Sequence, residues 1–148
     1  MTDNITFELD LSDMLKDMNR LGSNLAAALP KAAMAGAMVI KNHVAILIQQ
    51  SPAGGETYTR GNISHTASAP GQPPATDTGF LVNALIVRAG KSGPTFAEAY
   101  EGSTAEYDEG LEFGTSRVEA RPHHRPAVDN NVAAITQAVM AVLQGAIK

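Results

Sequence analysis

Apolar and polar positions change their spacing several times along the chain, and each spacing predicts a different element. Near the N-terminus Ile5, Phe7 and Leu9 alternate with polar residues, which predicts a short strand. Apolar residues then recur at steps of three or four, which predicts an amphipathic helix with Asp10 or Ser12 as its N-cap. The residues of its apolar face are Leu11, Met14, Leu15, Met18, Leu21, Leu25 and Leu29.

Pro30 should interrupt this helix, because a proline inside a helix lacks the N–H that its turn requires. Proline is well tolerated in a first turn, so a second helix is predicted over 31–50. This helix is apolar on nearly all sides, which favours a place at the centre of the fold or under a neighbouring subunit. A membrane span is not expected, because Lys41, Asn42 and His43 interrupt the apolar stretch.

Residues 51–76 are rich in Gly, Pro, Ser, Thr and Ala, and they predict a long flexible loop. Loops of more than roughly 12–15 residues are usually functional or disordered. This one carries too little apolar surface to order itself, so we expect it to order against a partner, such as a neighbouring protomer or ring.

The remaining chain predicts short elements followed by one long helix. A helical turn is expected near Asp77 or Thr78, and a hairpin is expected from 85–87, a turn at 90–94, and 95–100. Residues 106–113 predict one or two helical turns that end at Gly114 with a positive φ. The closing amphipathic helix is indicated by Val128, Val132, Ile135, Val139, Val142, Leu143 and Ile147.

Composition is that of one folded domain spanning residues 1–148, with 44% hydrophobic and 18% charged residues. The net charge of −4 and the absence of Trp argue against tight binding of phosphate backbones or stacking on bases. A small nucleic-acid-binding module is therefore the weaker alternative from another functional class. The chain has no Cys, which excludes disulfides and thiolate metal sites.

Motifs for enzyme chemistry fail on inspection, and we predict no catalytic residue, cofactor or metal. Gly90-Lys91-Ser92 would end a phosphate-binding loop only if a glycine stood at Leu85, so it predicts a hairpin turn instead. Ser116 lacks the second glycine of a nucleophile elbow. The four histidines lack metal-ligand spacing, and neighbouring side chains on a strand, such as His123 and His124, point to opposite faces.

Charges are segregated in the last third of the chain. An acidic stretch without Lys or Arg covers 98–112, and three arginines follow at steps of four. One interpretation is two ordinary solvated surfaces, and the other is complementarity between identical subunits, in which the acidic stretch meets the arginines of the next protomer. The predicted interface residues are Glu101, Glu106, Asp108, Glu112, Arg117, Arg121 and Arg125.

Two segments, 69–81 and 107–127, resemble a family of neck or tail-component proteins of long-tailed bacteriophages. They read Ala-Pro-Gly-Gln-Pro-Pro-Ala-Thr-Asp-Thr-Gly-Phe-Leu and Tyr-Asp-Glu-Gly-Leu-Glu-Phe-Gly-Thr-Ser-Arg-Val-Glu-Ala-Arg-Pro-His-His-Arg-Pro-Ala. The resemblance rests on the Pro-rich loop before Thr-Gly-x-Leu, the later Glu-Phe-Gly-Thr, and the final Arg-Pro-Ala. It covers most of the chain from about residue 30. His123 and His124 depart from it, since the family has a bulky apolar pair there.

The resemblance implies an α+β domain in which a small antiparallel sheet packs against long helices. It implies a ring, hexameric or larger in the virion, at the head–tail junction between connector or head-closure proteins and the tail tube. DNA would pass through without specific binding, and assembly would take place in the host cytoplasm. A tail terminator is the nearest alternative, and the isolated chain could be a monomer.

The residue roles implied by the resemblance are structural. Glu112 with Phe113, Gly114 and Thr115 would form a turn. Pro122 and Pro126 would hold Arg121 and Arg125 in a rigid extended arm, since proline fixes φ and restricts the preceding residue.

Overall fold

The computed structural model describes residues 10–148, which form five helices and two antiparallel hairpins. The predicted strand at Ile5–Leu9 lies outside these residues. The elements are α1 (Ser12–Gln50), β1 (Thr57–Arg60), β2 (Ile63–Thr66), α2 (Phe80–Ala84), β3 (Leu85–Gly93), β4 (Phe96–Ser103), α3 (Asp108–Phe113), α4 (His124–Asp129) and α5 (Val132–Ile147). The predicted α+β class, with small sheets packed against long helices, is confirmed.

Helix α1 contacts α5 on one side and the β3–β4 hairpin on another, and the buried core lies where α1 meets α2, the start of β3 and α4. Gly36 allows the close approach of α5, because a Cβ built there would lie 3.1 Å from Val139 Cγ2. Removing apolar side chains from water is the main favourable contribution to folding. The buried cluster comprises Val44, Ile48, Leu81, Ala84, Leu85, Ala105 and Ala127.

Helix α1 runs through Pro30 without a break, so the predicted division into two helices is wrong. Proline at this position removes one backbone hydrogen bond, and an interior proline costs about 3 kcal/mol. Buried positions on both sides of it, Ala28, Ala32 and Gly36, keep the helix packed on the domain. Tertiary packing therefore overrides the local preference, as it commonly does for helices.

The two halves of α1 have different surroundings. Every residue of 12–24 is exposed, whereas the buried positions begin at Ala28. A helix of 39 residues is about 58 Å long, and a compact domain of this size is about 38 Å across. The first half therefore projects from the domain. By length and apolar composition alone α1 could cross a membrane, but its second half is the central helix of this fold.

The segment 51–76 was expected to lack secondary structure, yet it contains the β1–β2 hairpin. Gly61, with φ +60, supplies the first position of a two-residue turn. Across the strands the hydroxyls of Thr57 and Thr66 lie 2.8 Å apart. The segment also bonds to its own chain: Gly71 N–H donates to the carbonyl of Ala120 at 2.9 Å. The strands of this hairpin are rich in Thr and are held by backbone hydrogen bonds, so the segment becomes ordered with little buried apolar surface.

The second hairpin, β3–β4, is where the sequence predicted it, but its turn lies further along the chain. Strand β3 continues to Gly93 with a bulge between Ala89 and Ser92, so the turn falls at Pro94. The closing helix also differs, because its predicted run from Val128 is divided. Helix α4 ends at Asp129 and a new one begins at Val132. Between them the side chain of Asn131 donates to the carbonyl of Ala127 at 2.9 Å.

Candidate functional site

Five ionisable side chains meet where β4, α3 and the start of α4 adjoin, and we call them the acid–histidine cluster. Helix α3 supplies two of them from one face, because residues four apart lie one turn above each other. Leu111, on the other face of α3, and Tyr107, the residue before the helix, line a separate cavity. The cluster consists of Glu101, Asp108, Glu112, His123 and His124.

Glu112 caps the N-terminus of α4. Its Oε2 accepts hydrogen bonds from the backbone N–H groups of His123 at 2.7 Å and His124 at 2.9 Å, and its Oε1 accepts from Arg125 N–H at 3.0 Å. The next residue, Pro126, has no N–H to satisfy. One carboxylate therefore serves three backbone donors that a helix start leaves without intrahelical partners.

Asp108 bridges the two histidines. Its Oδ1 lies 2.8 Å from His123 Nε2, and its Oδ2 lies 2.8 Å from His124 Nε2. The two imidazole rings are 4.4 Å apart between centroids. Both Nε2 atoms thus point at one carboxylate.

The remaining ring nitrogens also face acceptors. His123 Nδ1 lies 2.9 Å from the carbonyl oxygen of Arg121, and His124 Nδ1 lies 2.8 Å from Glu101 Oε2. Each imidazole is therefore held from both sides, which fixes its orientation.

The cluster shifts the pKa values of its members in opposite directions. Burial lowers the pKa of His124, but hydrogen bonds to Asp108 and Glu101 and their negative charges outweigh burial and raise it to about 10. Burial raises the pKa of Asp108, but the two histidines lower it well below its usual range. The pKa of Glu112 is lowered as well, because three backbone N–H groups outweigh its burial. Without a bound cation, His124 is thus charged at neutral pH.

The cluster is largely closed to solvent. The side chain of His123 is 0% exposed, that of Glu101 is 6% exposed, and that of Glu112 is 7% exposed. Glu101 Oε1 is buried and has no hydrogen-bond partner within residues 10–148. A cavity of about 480 Å³ opens beside Asp108 and His124, so solvent reaches the cluster from one side.

The predicted interface residues fall into two groups. Glu101, Asp108 and Glu112 contact residues of their own chain in the cluster, which corrects the expectation that they face a neighbouring protomer. Arg121 is likewise held internally, since its Nε and Nη2 each donate to the Ser68 carbonyl at 3.3 Å. Those that stay exposed are Glu106, Arg117 and Arg125.

Gly114 has the positive φ expected for it, but Glu112 and Phe113, which were predicted to belong to the turn, are the last residues of α3. Gly114 has φ +79, and Thr115 Oγ1 accepts from the N–H groups of Arg117 and Val118 at 3.2 and 3.0 Å. Phe113, the last residue of α3, is exposed.

The expected extended arm is shorter than predicted. The chain enters α4 at His124, so Arg125 and Pro126 lie in a helical first turn and only Arg121 to His123 precede it. The cause is the Glu112 cap, which satisfies the backbone donors of this turn, together with the tolerance of early helix positions for proline.

His123 and His124 were set aside on the argument that neighbours on a strand diverge. That premise is wrong here, because His123 is the N-cap and His124 the first residue of a helix, where their rings lie side by side. The helical spacing of Asp108 and Glu112 was the signal for an acidic pair on one face. Nothing in the sequence pattern indicated that this face meets residues 11–16 positions further along.

A larger cavity of about 770 Å³ lies between the β1–β2 hairpin, α2 and the other face of α3. Its charged groups are partly paired with each other. Arg60 forms an ion pair with Asp77, and His65 Nδ1 lies 3.6 Å from Asp77 Oδ1. Arg117 and Arg121 also line it.

Comparisons of the chain with known protein families, with curated proteins and with solved structures give no match.

Proposed function

We propose that this chain is a structural subunit of a tailed bacteriophage that forms a ring at the head–tail junction. The observation that carries the proposal is the uncovered apolar stripe on the projecting half of α1. The stripe consists of Leu11, Met14, Leu15, Met18 and Leu21, which are 39–60% exposed. Contiguous exposed apolar surface of this kind is typical of protein–protein contact sites.

The occupant that fits the stripe is a second copy of the chain. Its polar flank carries two acidic and two basic residues, Asp13 with Lys16 and Asp17 with Arg20, so the surface is complementary to itself in charge. The phage part of the proposal is supported by the resemblance of segments 69–81 and 107–127 to neck proteins.

Charge complementarity between protomers remains part of the proposal, but only for residues that are still exposed. Glu106 and Glu109 on one copy and Arg117 and Arg125 on the next can form a head-to-tail contact. Contacts of this kind close into rings when the rotation permits. A net charge of −4 favours a passage that does not hold DNA.

Sedimentation velocity tests the assembly. The wild-type chain is expected to form a hexamer or a larger ring, visible by negative-stain electron microscopy. The double variant Leu15→Ser/Met18→Ser should sediment as a monomer, because it removes the apolar contact. The matched control Ser23→Ala/Asn24→Ala changes exposed residues of the same half of α1 that belong neither to the stripe nor to its charged flank, and it should keep most of the assembly.

A wild-type chain that stays monomeric at every concentration, or a stripe variant that assembles normally, would contradict the role of α1. The phage assignment has its own test in the genes beside the coding sequence. Portal, head-closure and major tail genes are expected there, and their absence would count against a head–tail junction.

A further inference from the structure

We propose that Asp108, His123 and His124 bind a divalent transition-metal cation of the zinc class. The three side chains each offer one ligand atom, and these atoms lie within 4.8 Å of one another. Ligands of zinc lie about 2.0–2.2 Å from the ion, so small rotations of the imidazoles bring all three to one ion.

The orientation of both imidazoles is that of metal ligands. Each histidine presents Nε2 to the shared carboxylate of Asp108, and each uses Nδ1 for an outer contact. For His123 the outer partner is the Arg121 carbonyl, and for His124 it is the carboxylate of Glu101. Metal-bound histidines almost always donate their second N–H to a carbonyl or a carboxylate, which orients the ring and raises its basicity.

Glu101 gives a second, independent indication of a ligand. Its side chain is 6% exposed and contacts His124 through Oε2, while Oε1 has no hydrogen-bond partner in the part of the chain that the structure describes. A buried oxygen without a hydrogen-bond partner is costly, so Oε1 can accept a further contact, such as one from a water on the ion. The ion would also replace the positive charge that His124 loses when its Nε2 becomes a ligand.

Access and coordination number also fit. The cavity of about 480 Å³ beside Asp108 and His124 is lined by the carboxylates of Glu101, Glu109 and Glu112 and by one arginine, Arg125, so carboxylates outnumber the arginine in the opening that leads to the ligands. Three protein ligands leave a fourth position for water from this cavity, the arrangement of open zinc sites. On binding, the ion would take the place of the contacts between the two Nε2 atoms and Asp108.

The ion would join α3 to the start of α4, which Glu112 already joins through the backbone. This inference is independent of ring assembly, since it concerns contacts within one protomer.

Calorimetric titration of the tag-free, chelator-treated full chain with ZnCl2 tests the site. One ion per chain is expected, with a melting temperature that rises by about 5 °C or more at free zinc 100-fold above the Kd. Co²⁺ in place of zinc should give visible absorption bands of a four-coordinate site, a readout that surface binding does not produce.

Variants separate the ligands from the rest of the molecule. Asp108→Asn and His124→Gln should weaken zinc binding at least 100-fold, and Glu101→Gln, which leaves all three ligands in place, should weaken it 10–100-fold. The controls His43→Gln and His65→Gln alter the other two histidines and should bind zinc like the wild type. Circular dichroism shows which variants fold.

Two results would overturn the proposal. One is a wild-type chain that binds neither Zn²⁺ nor Co²⁺, which would leave the cluster as a network of ion pairs alone. The other is unchanged affinity in folded Asp108→Asn or His124→Gln, which would place the ion elsewhere. If ligand variants misfold, Glu101→Gln decides, because equal affinity in that variant contradicts the outer contact.

Discussion

The projecting half of α1 and the acid–histidine cluster both carry groups that require a partner, but those of the cluster are paired within the chain and those of α1 are left exposed. The cluster closes within the chain: the carboxylates of Asp108 and Glu112 are engaged by residues of the same protomer. The first half of α1 stays open, with its apolar stripe exposed.

Because of this difference, the contact expected between copies is the apolar stripe of α1 rather than the charged residues of the cluster. Charges had suggested that acidic residues of one copy meet arginines of the next, but half of those acidic groups contact the start of α4 instead. Desolvated ionic groups are stable only when they are well paired, and the chain provides that pairing itself. Apolar surface needs no such pairing, so it can remain exposed on the single chain until a second copy covers it, as we propose.

The largest expected effect comes from removing the cap of α4. Glu112→Ala should lower the free energy of unfolding by about 3 kcal/mol, because three backbone N–H groups lose their acceptor where little water can replace it. Urea denaturation measures the change. The matched control is Glu109→Ala, because Glu109 lies on the exposed side of α3, the helix that carries Glu112. This variant should stay within about 0.5 kcal/mol of the wild type.

Equal stability of the Glu112 and Glu109 variants would break the comparison. It would mean that the cluster is open to solvent and that its carboxylates are free for contacts between protomers.

A smaller effect is expected at Gly114, which ends the helix that carries Asp108 and Glu112. Gly114→Ala should cost about 1–2 kcal/mol, since its φ is +79 and the new Cβ would lie 3.0 Å from Ala120 N and 3.2 Å from the Val118 carbonyl oxygen. Gly102→Ala is the control, because nothing lies within 4 Å of a Cβ there. Thermal denaturation compares the two, and a loss in the Gly102 variant alone would contradict the assigned turn.

Periodicity predicted those parts of the fold that local pattern controls. The β3–β4 hairpin follows from apolar runs around a turn, and the apolar face of α5 follows from its three- and four-residue steps. The break at Pro30 was wrong because packing against α5 outweighs one lost hydrogen bond. The β1–β2 hairpin was missed because its Thr-rich strands are held by backbone pairing and carry little apolar signal.

The candidate site was less predictable for a different physical reason. The acidic stretch was visible in the sequence, and so was the His123-His124 pair, but their association depends on where α3 lies relative to α4. Whether His123 and His124 diverge or lie side by side depends on the start of a six-residue helix. That start is stabilised by Glu112, eleven residues before His123, so no local pattern contains it.

The smallest effect on stability is expected in the open region. Leu15→Ala should change the free energy of unfolding of the monomer by less than about 0.5 kcal/mol, since surface substitutions rarely exceed this value and Leu15 is 55% exposed. Urea denaturation at a concentration where sedimentation shows monomer measures it. Ile48→Ala, on the buried half of the same helix and 1% exposed, is the positive control and should cost about 2–5 kcal/mol. A loss above 1 kcal/mol for Leu15→Ala would show that its own chain covers the stripe, and a second copy would then have nothing to bury there.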